Sequence, residues 1–341
     1  MRPAFWFPLL VCSALAMALA GCGTGSSTPT TTTSNHPTST TGSPASTTAN
    51  GSTPVHFAGP TVVASGAGLA SVSCGSPTSC IALDTLGRAY LFNGTSWSGP
   101  VPAAPQPIGP GAISVSCSNP GFCAAIATAG NQVISWNGQA WSAPTPLNGA
   151  SGLESVGCAP GGYCAAVDAE GNAFAFSGGS WSGTSGDWGS VSAISCVNPS
   201  FCMSVSGGIS QWNGGQWTQP NPYGDSSSFV GVSCPTTSFC TAVDASGGAL
   251  QWNGVTWSAP VRIEPGPAPT TAIGVAPTAV SCPSSSYCAA TDASGGVLQW
   301  TGTSWSRADV DPGHSLTSIS CPTPSMCVAV DHSGRAFVGR D

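Results

Sequence analysis

The 341-residue chain contains no lysine, and its six arginines, 13 acidic residues and four histidines leave only 6% of positions charged, with a formal net charge of −7. Each shortage excludes a chemistry. Without lysine there is no Schiff-base nucleophile, no phosphate-loop lysine and no basic surface, so no nucleic-acid partner is expected. G-x-S-x-G, His-Glu-x-x-His and GxGxxG motifs are all missing, and no two cysteines stand at the C-x2-C spacing of a thiolate site. Neither a cofactor nor a metal centre is therefore expected. Forty-five glycines and 30 prolines would read as disorder, but 41% of the residues are hydrophobic and the mean hydropathy is +0.16. The balance predicts an ordered, turn-rich β protein.

The amino terminus is set apart. Met1-Arg2-Pro3 is a short positive segment, and residues 4–20 are an apolar run ending in small side chains, as in a secretory signal. Leu19-Ala20-Gly21-Cys22 resembles the lipobox of bacterial lipoproteins. That resemblance implies cleavage after residue 21, acylation of Cys22 and attachment of the mature chain, by lipid, to the extracytoplasmic side of the cell membrane. Residues 22–54 are nearly all Thr, Ser, Pro, Gly, Ala and Asn; they cannot bury a core and read as a stalk.

The other 14 cysteines fall into seven pairs, each with five residues between: Cys74/Cys80, Cys117/Cys123, Cys158/Cys164, Cys196/Cys202, Cys234/Cys240, Cys282/Cys288 and Cys321/Cys327. Successive first members are 43, 41, 38, 38, 48 and 39 residues apart, the period of a four-stranded propeller blade. The unit is clearest at Val232-Ser233-Cys234, Phe239 to Asp244, Ala249 to Trp252 and Trp257 to Pro260, here strands a, b, c and d, separated by turn-forming residues. The seventh unit ends without a strand d, while Phe57-Ala58-Gly59-Pro60-Thr61-Val62 is a spare one ahead of the first strand a. One ring accounts for both defects. The prediction for residues 55–341 is an all-β, seven-bladed β-propeller, closed by the N-terminal strand; an open β-solenoid is the alternative.

Three repeated features follow. In each pair one cysteine is expected to end strand a and the other to open strand b. Facing across the neck of the hairpin, they are placed for a disulfide that constrains the unfolded chain by about 2 to 3 kcal/mol. The pairs Phe92/Trp97, Trp136/Trp141, Phe176/Trp181, Trp212/Trp217, Trp252/Trp257 and Trp300/Trp305 are expected to face one another across c–d hairpins. Their expected role is packing between blades, with sugar stacking in interblade grooves as the alternative. Asp84, Asp168, Asp244, Asp292 and Asp331 each precede a glycine by three, the pattern of a type I turn; Ala127 and Ser206 take that place in the second and fourth units.

Residues 55–341 resemble repeat-built bacterial β-propeller lipoproteins, an architecture that carries no functional motif with it. The order Asp, Gly, Trp also departs from the Asp box of sialidase-like propellers. A non-enzymatic ligand- or protein-binding head, monomeric, with a glycan or an envelope protein as partner, is the expected function. A propeller-type glycosidase or a lectin is the alternative. Arginines and carboxylates converging on the axial opening would favour the enzyme, whereas an opening lined by Ser, Gly and Ala would disfavour it. Candidate ligand residues are those that repetition does not require, on the face carrying the Asp turns and d–a connections: Arg88, Asp187, Trp188, Tyr223, Arg262, Glu264 and Arg335.

Overall fold

The computed structural model describes residues 52–101, 112–127, 131–184, 190–219, 221, 228–263 and 276–341. The proposed signal, Cys22 and nearly all of the stalk lie outside them, as do Asp187, Trp188, Tyr223 and Glu264. The described residues form strands and turns without helix. They make seven antiparallel sheets, one per cysteine pair, each in meander order. Blade 5 is representative: strand a is Phe229–Thr236, b is Phe239–Asp244, c is Gly248–Trp252 and d is Val261–Arg262.

Strand b carries a nearly continuous buried run in every blade, as at Tyr163–Asp168 and Met326–Asp331. A strand covered on both faces loses the usual alternation, and both faces here meet neighbouring blades. The apolar side chains gather into seven clusters, each joining one blade to the next, including blade 7 to blade 1. Small residues such as Ala82, Ala166 and Ala329, all fully buried, let the sheets approach.

The ring closes where the sequence predicts. His56–Phe57 and Thr61–Val62 pair antiparallel with Arg335–Arg340, the c strand of blade 7, with Phe57 opposite Gly339 and Val62 opposite Arg335. Just before this strand the buried backbone of Val55 is held from blade 6. Its amide donates to Gln299 Oε1 at 2.8 Å, and Gln299 Nε2 donates back to its carbonyl at 3.1 Å. Tyr287 in turn donates its hydroxyl to Gln299 Oε1 at 2.6 Å, and burial pushes the Tyr287 phenol pKa up.

All seven expected disulfides form, each within its own blade: Cys74–Cys80, Cys117–Cys123, Cys158–Cys164, Cys196–Cys202, Cys234–Cys240, Cys282–Cys288 and Cys321–Cys327, with Cα–Cα distances of 3.9–4.1 Å. The second members, Cys80, Cys123, Cys164, Cys202, Cys240, Cys288 and Cys327, are at most 1% exposed. Cys80, Cys123, Cys164, Cys240 and Cys288 lie directly opposite the strand c member of each aromatic pair, namely Phe92, Trp136, Phe176, Trp252 and Trp300. These cysteines are therefore structural groups closed to an outside ligand.

Three details correct the sequence expectation. Strand a does not end at its cysteine: in blade 1, Leu69–Ser76 runs two residues past Cys74, because a register shift there lets the chain continue into a tight hairpin. Nor does the second cysteine open strand b. Ser79, Phe122, Tyr163, Phe239 and Tyr287 do, each pairing back onto the extended strand a, so that Cys80, Cys123, Cys164, Cys240 and Cys288 stand second. The Trp-Ser-Ala-Pro segments, finally, are not uniform d strands. In blades 2 and 5 the second tryptophan forms only an isolated bridge, and pairing resumes past the proline at Thr145–Pro146 and Val261–Arg262. Proline has no N–H to give the ladder. Ser142 and Ser258 hydroxyls repair the gap, each accepting a strand c amide at 3.0 Å.

Candidate functional site

The innermost strands face the axis with an unpaired edge, a polar row that needs partners. Serines supply them across the blade boundaries. The serine just before each cysteine accepts the cysteine amide of the following blade at 2.9–3.0 Å, as Ser320 does from Cys74 and Ser73 from Cys117. Six blades contribute to this tier; Gly157 takes the place in blade 3. A second tier, two residues earlier, uses Ser318, Ser71, Ser114 and Ser155 at 3.2–3.3 Å. Ala193, Gly231 and Ala279 interrupt it in blades 4 to 6. This girdle was not read from the sequence, although Ser-x-Ser-Cys recurs openly.

The girdle surrounds an axial passage of about 310 Å³, lined by the strand a residues of all seven blades. Ser, Thr, Gly, Ala, Val and Ile dominate, and Glu154 is the one charged side chain among the described residues of its wall. A glycosidase would require two carboxylates here. The described residues of the passage do not bring two together.

The turn face is built on buried aspartates. Asp84, Asp168, Asp244, Asp292 and Asp331 are at most 3% exposed. Each Oδ1 accepts the amides two and four residues on, as at Leu86 (3.0 Å) and Arg88 (2.8 Å), and Ser333 (2.9 Å) and Arg335 (2.7 Å). The glycine three residues after each aspartate has φ between 78° and 91°, a conformation that side chains with a Cβ resist. The turn expectation is met. In blade 2 Asn131 bridges instead to the next connection, donating to Ala150 O at 2.7 Å and accepting from Gly152 at 2.8 Å.

Three arginines are tied to these carboxylates. Arg88 Nε donates to Asp84 Oδ2 at 2.5 Å, and Arg335 Nε to Asp331 Oδ2 at 2.6 Å. Arg307, on strand d of blade 6, reaches Asp292 at 2.9 Å and also pairs with Asp309. Burial opposes ionisation of Asp292, but donors from Gly296, Arg307 and Ser294 win and hold its carboxyl below the usual range. Arg335 Nη2 additionally bonds Asp311 at 2.6 Å. Two of the sequence candidates, Arg88 and Arg335, thus hold their own turns. They stand in adjoining blades, whose turns share the 63–68 connection: Val63 and Ala64 amides donate to Gly334 O, and Thr85 to Gly68 O. Arg262 lies exposed on the outer strand of blade 5, opposite Gly248.

All six aromatic pairs are directly opposed, with ring centroids 5.2–6.0 Å apart, and each joins an interblade cluster. Burial is unequal. Trp136/Trp141 and Trp252/Trp257 are buried, whereas Phe176 and Trp181 are half-buried on the wall of a groove of about 740 Å³ between blades 2 and 3.

Seven meander sheets, a shared last blade and an axial passage define a seven-bladed β-propeller. No family model matches the chain, and no curated protein does. Solved structures do. A structure of YCF48 bound to D1 peptide has a TM-score of 0.65 at 13% identity, covering 85% of this chain and 97% of that one. The structure of U3-55K has a TM-score of 0.68 at 11% identity, covering 84% and 98%. YCF48 from Cyanidioschyzon merolae gives 0.63 at 14%, covering 83% and 99%. At these identities the likeness is one of fold.

Proposed function

We propose that this chain is a lipid-anchored, extracytoplasmic protein-binding module, fixed to the membrane through Cys22 and carried on the 22–54 stalk. The observation that carries the binding part is the axial opening, whose described wall is made of hydroxyls and small side chains with a single carboxylate. One similar propeller, YCF48, was solved with a peptide bound. Binding is assigned to the turn face, where the departures from repetition gather, so Arg262, Asp187, Trp188, Tyr223 and Glu264 join this proposal.

A photo-crosslinking residue at Leu86 on the turn face, 47% exposed, is compared in cells with one at Val255 on the opposite face, 83% exposed. One discrete adduct from Leu86 and none from Val255 is expected; equal or absent adducts overturn the assignment. For the anchor, Cys22→Ala is expected to abolish palmitate labelling and release the protein from the membrane fraction. Retention of both features would refute it. The blade 2–3 groove favours one second reading, stacking of a neutral sugar on Phe176 and Trp181. It predicts glycan-array binding that Trp181→Ala removes.

A further inference from the structure

In blades 1, 2, 3, 5, 6 and 7 strand a begins with the same irregularity, a register shift that leaves one residue without a partner on strand b. Bulges of this kind re-aim a side chain. Strand a starts at the turn face, so these residues ring that mouth of the passage. In blades 1, 5, 6 and 7 they are Ala70, Val230, Thr278 and Thr317, and Ser192 holds the corresponding place in blade 4. Both threonine hydroxyls are spent on the next blade, donating to Leu316 O and Leu69 O at 2.8 Å. In blade 3 the bulge residue is Glu154.

Glu154 is exposed to the passage and has no hydrogen bond or ion pair among the described residues. No arginine among the described residues is paired with it. Arg88, Arg307 and Arg335 are committed to aspartates, Arg340 donates to Gly94 O, and Arg262 sits on an outer strand. The surrounding strands nevertheless desolvate the carboxyl enough to raise its pKa. A carboxylate placed this way gains from an incoming positive charge. No group of three His, Cys, Asp or Glu side chains stands together among the described residues, so they offer Glu154 no partners for a metal shell. The wall instead offers hydroxyl oxygens, including Ser155 and Ser192, which suit the three donors of an ammonium. With no lysine of its own, the chain cannot supply that group from a side chain.

We propose that the turn-face mouth of the passage is a receptor for a primary ammonium group carried by a different protein, a lysine side chain or an amino terminus, with Glu154 as its counter-ion. This rests on the protein-binding reading and names the chemistry that it recognises. The 310 Å³ passage has room for a lysine side chain.

The test uses the full-length chain in detergent, labelled with 13C-glutamate. Only three glutamates occur, Glu154, Glu170 and Glu264, and Glu154→Gln assigns the resonance. Titration with Nα-acetyl-lysine amide at pH 7 is expected to move the Glu154 carboxyl signal saturably. The bound ammonium should also shift its midpoint to lower pH, while Glu170 stays unchanged. Glu154→Gln should weaken binding at least about tenfold without changing the melting temperature. Glycinamide tests the amino-terminal source, and methylguanidine is the control. An unmoved Glu154 signal, equal binding of methylguanidine, or undiminished binding by Glu154→Gln overturns the proposal. The Leu86 adduct keeps the two readings apart. An adduct that survives Glu154→Gln sinks only the ammonium site, whereas saturable lysine-amide binding without any adduct sinks only the turn-face partner.

Discussion

Blade 7 is assembled from two stretches far apart in the sequence, and blade 4 from one uninterrupted stretch, yet among the described residues blade 7 is the more heavily tied. Its c strand spans six residues and is covered by both N-terminal segments. Its b–c turn holds a buried aspartate gripped by Arg335, and the incoming backbone is clamped by Gln299. Blade 4 has Ser206 in place of the aspartate, and its b–c turn is two residues shorter, with Val205 opposite Ile209 where blade 5 sets Val243 opposite Ala249. Among the described residues its sheet has three strands, with Trp217 and Asn221 joined to it by isolated bridges. Chain continuity gives local connection without effort, so the seam, which lacks it, is where specific contacts are concentrated.

Removing residues 1–62 should have the largest effect. It bares the edge of Arg335–Arg340 and deletes the Val55 anchor, and a fall in melting temperature of more than about 10 °C is expected by calorimetry. An unchanged transition would show that blade 7 closes without its partner strand. Next, Asp331→Ala strips acceptors from two amides and leaves Arg335 with Asp311 alone; a loss of about 3 kcal/mol is expected in urea unfolding. Ser206→Ala, at the same place in blade 4, should cost less than about 0.5 kcal/mol. Comparable losses at the two sites would erase the contrast.

Gln299→Leu should cost about 2 kcal/mol, because the buried Val55 N–H and C=O lose their partners together. Gln251→Leu is its control: the same Gln-Trp dipeptide in blade 5 leaves Gln251 Nε2 buried without a partner, and near-neutral stability is expected. The smallest contrast concerns the disulfides. Cys196–Cys202 and Cys321–Cys327 close loops of equal length, so replacing either pair by serine should cost about 2 kcal/mol in both blades. A gap above about 1 kcal/mol between them, measured by the same unfolding assay, would mean that blade context outweighs loop closure.

The features that repeat were the ones legible in the sequence. Cysteine spacing gave the blade count, the Asp-x-x-Gly pattern gave the turns, and the orphan Phe57 to Val62 segment gave the seam, because each rests on local geometry copied many times. The strand limits around the cysteines were less legible, since a register shift next to Cys74 carries the hairpin beyond the Cys74–Cys80 bridge without altering the spacing. The Gln299 clamp was hidden for the opposite reason. Gln-Trp occurs in blades 4, 5 and 6, and only the arrival of Val55 singles out one copy. Arg88 and Arg335 stand out in the sequence as departures from repetition, but their charge is used on Asp84 and Asp331, a pairing across four residues that the turn imposes. Glu154 is not legible as a site in the sequence, because its meaning depends on a bulge and on six other strands converging at one axis.

The seven half-cystine pairs have a consequence for how the molecule is made. Each partner lies six residues from its mate and on the adjoining strand of the same hairpin. A pair can therefore oxidise as soon as a single hairpin has emerged, before the ring exists and before most competing thiols have appeared. The number of wrong pairings open to 14 thiols grows factorially with the number present at once. Strictly local bridging keeps the free thiols at two, so correct oxidation proceeds with chain emergence and needs little help from a shuffling enzyme.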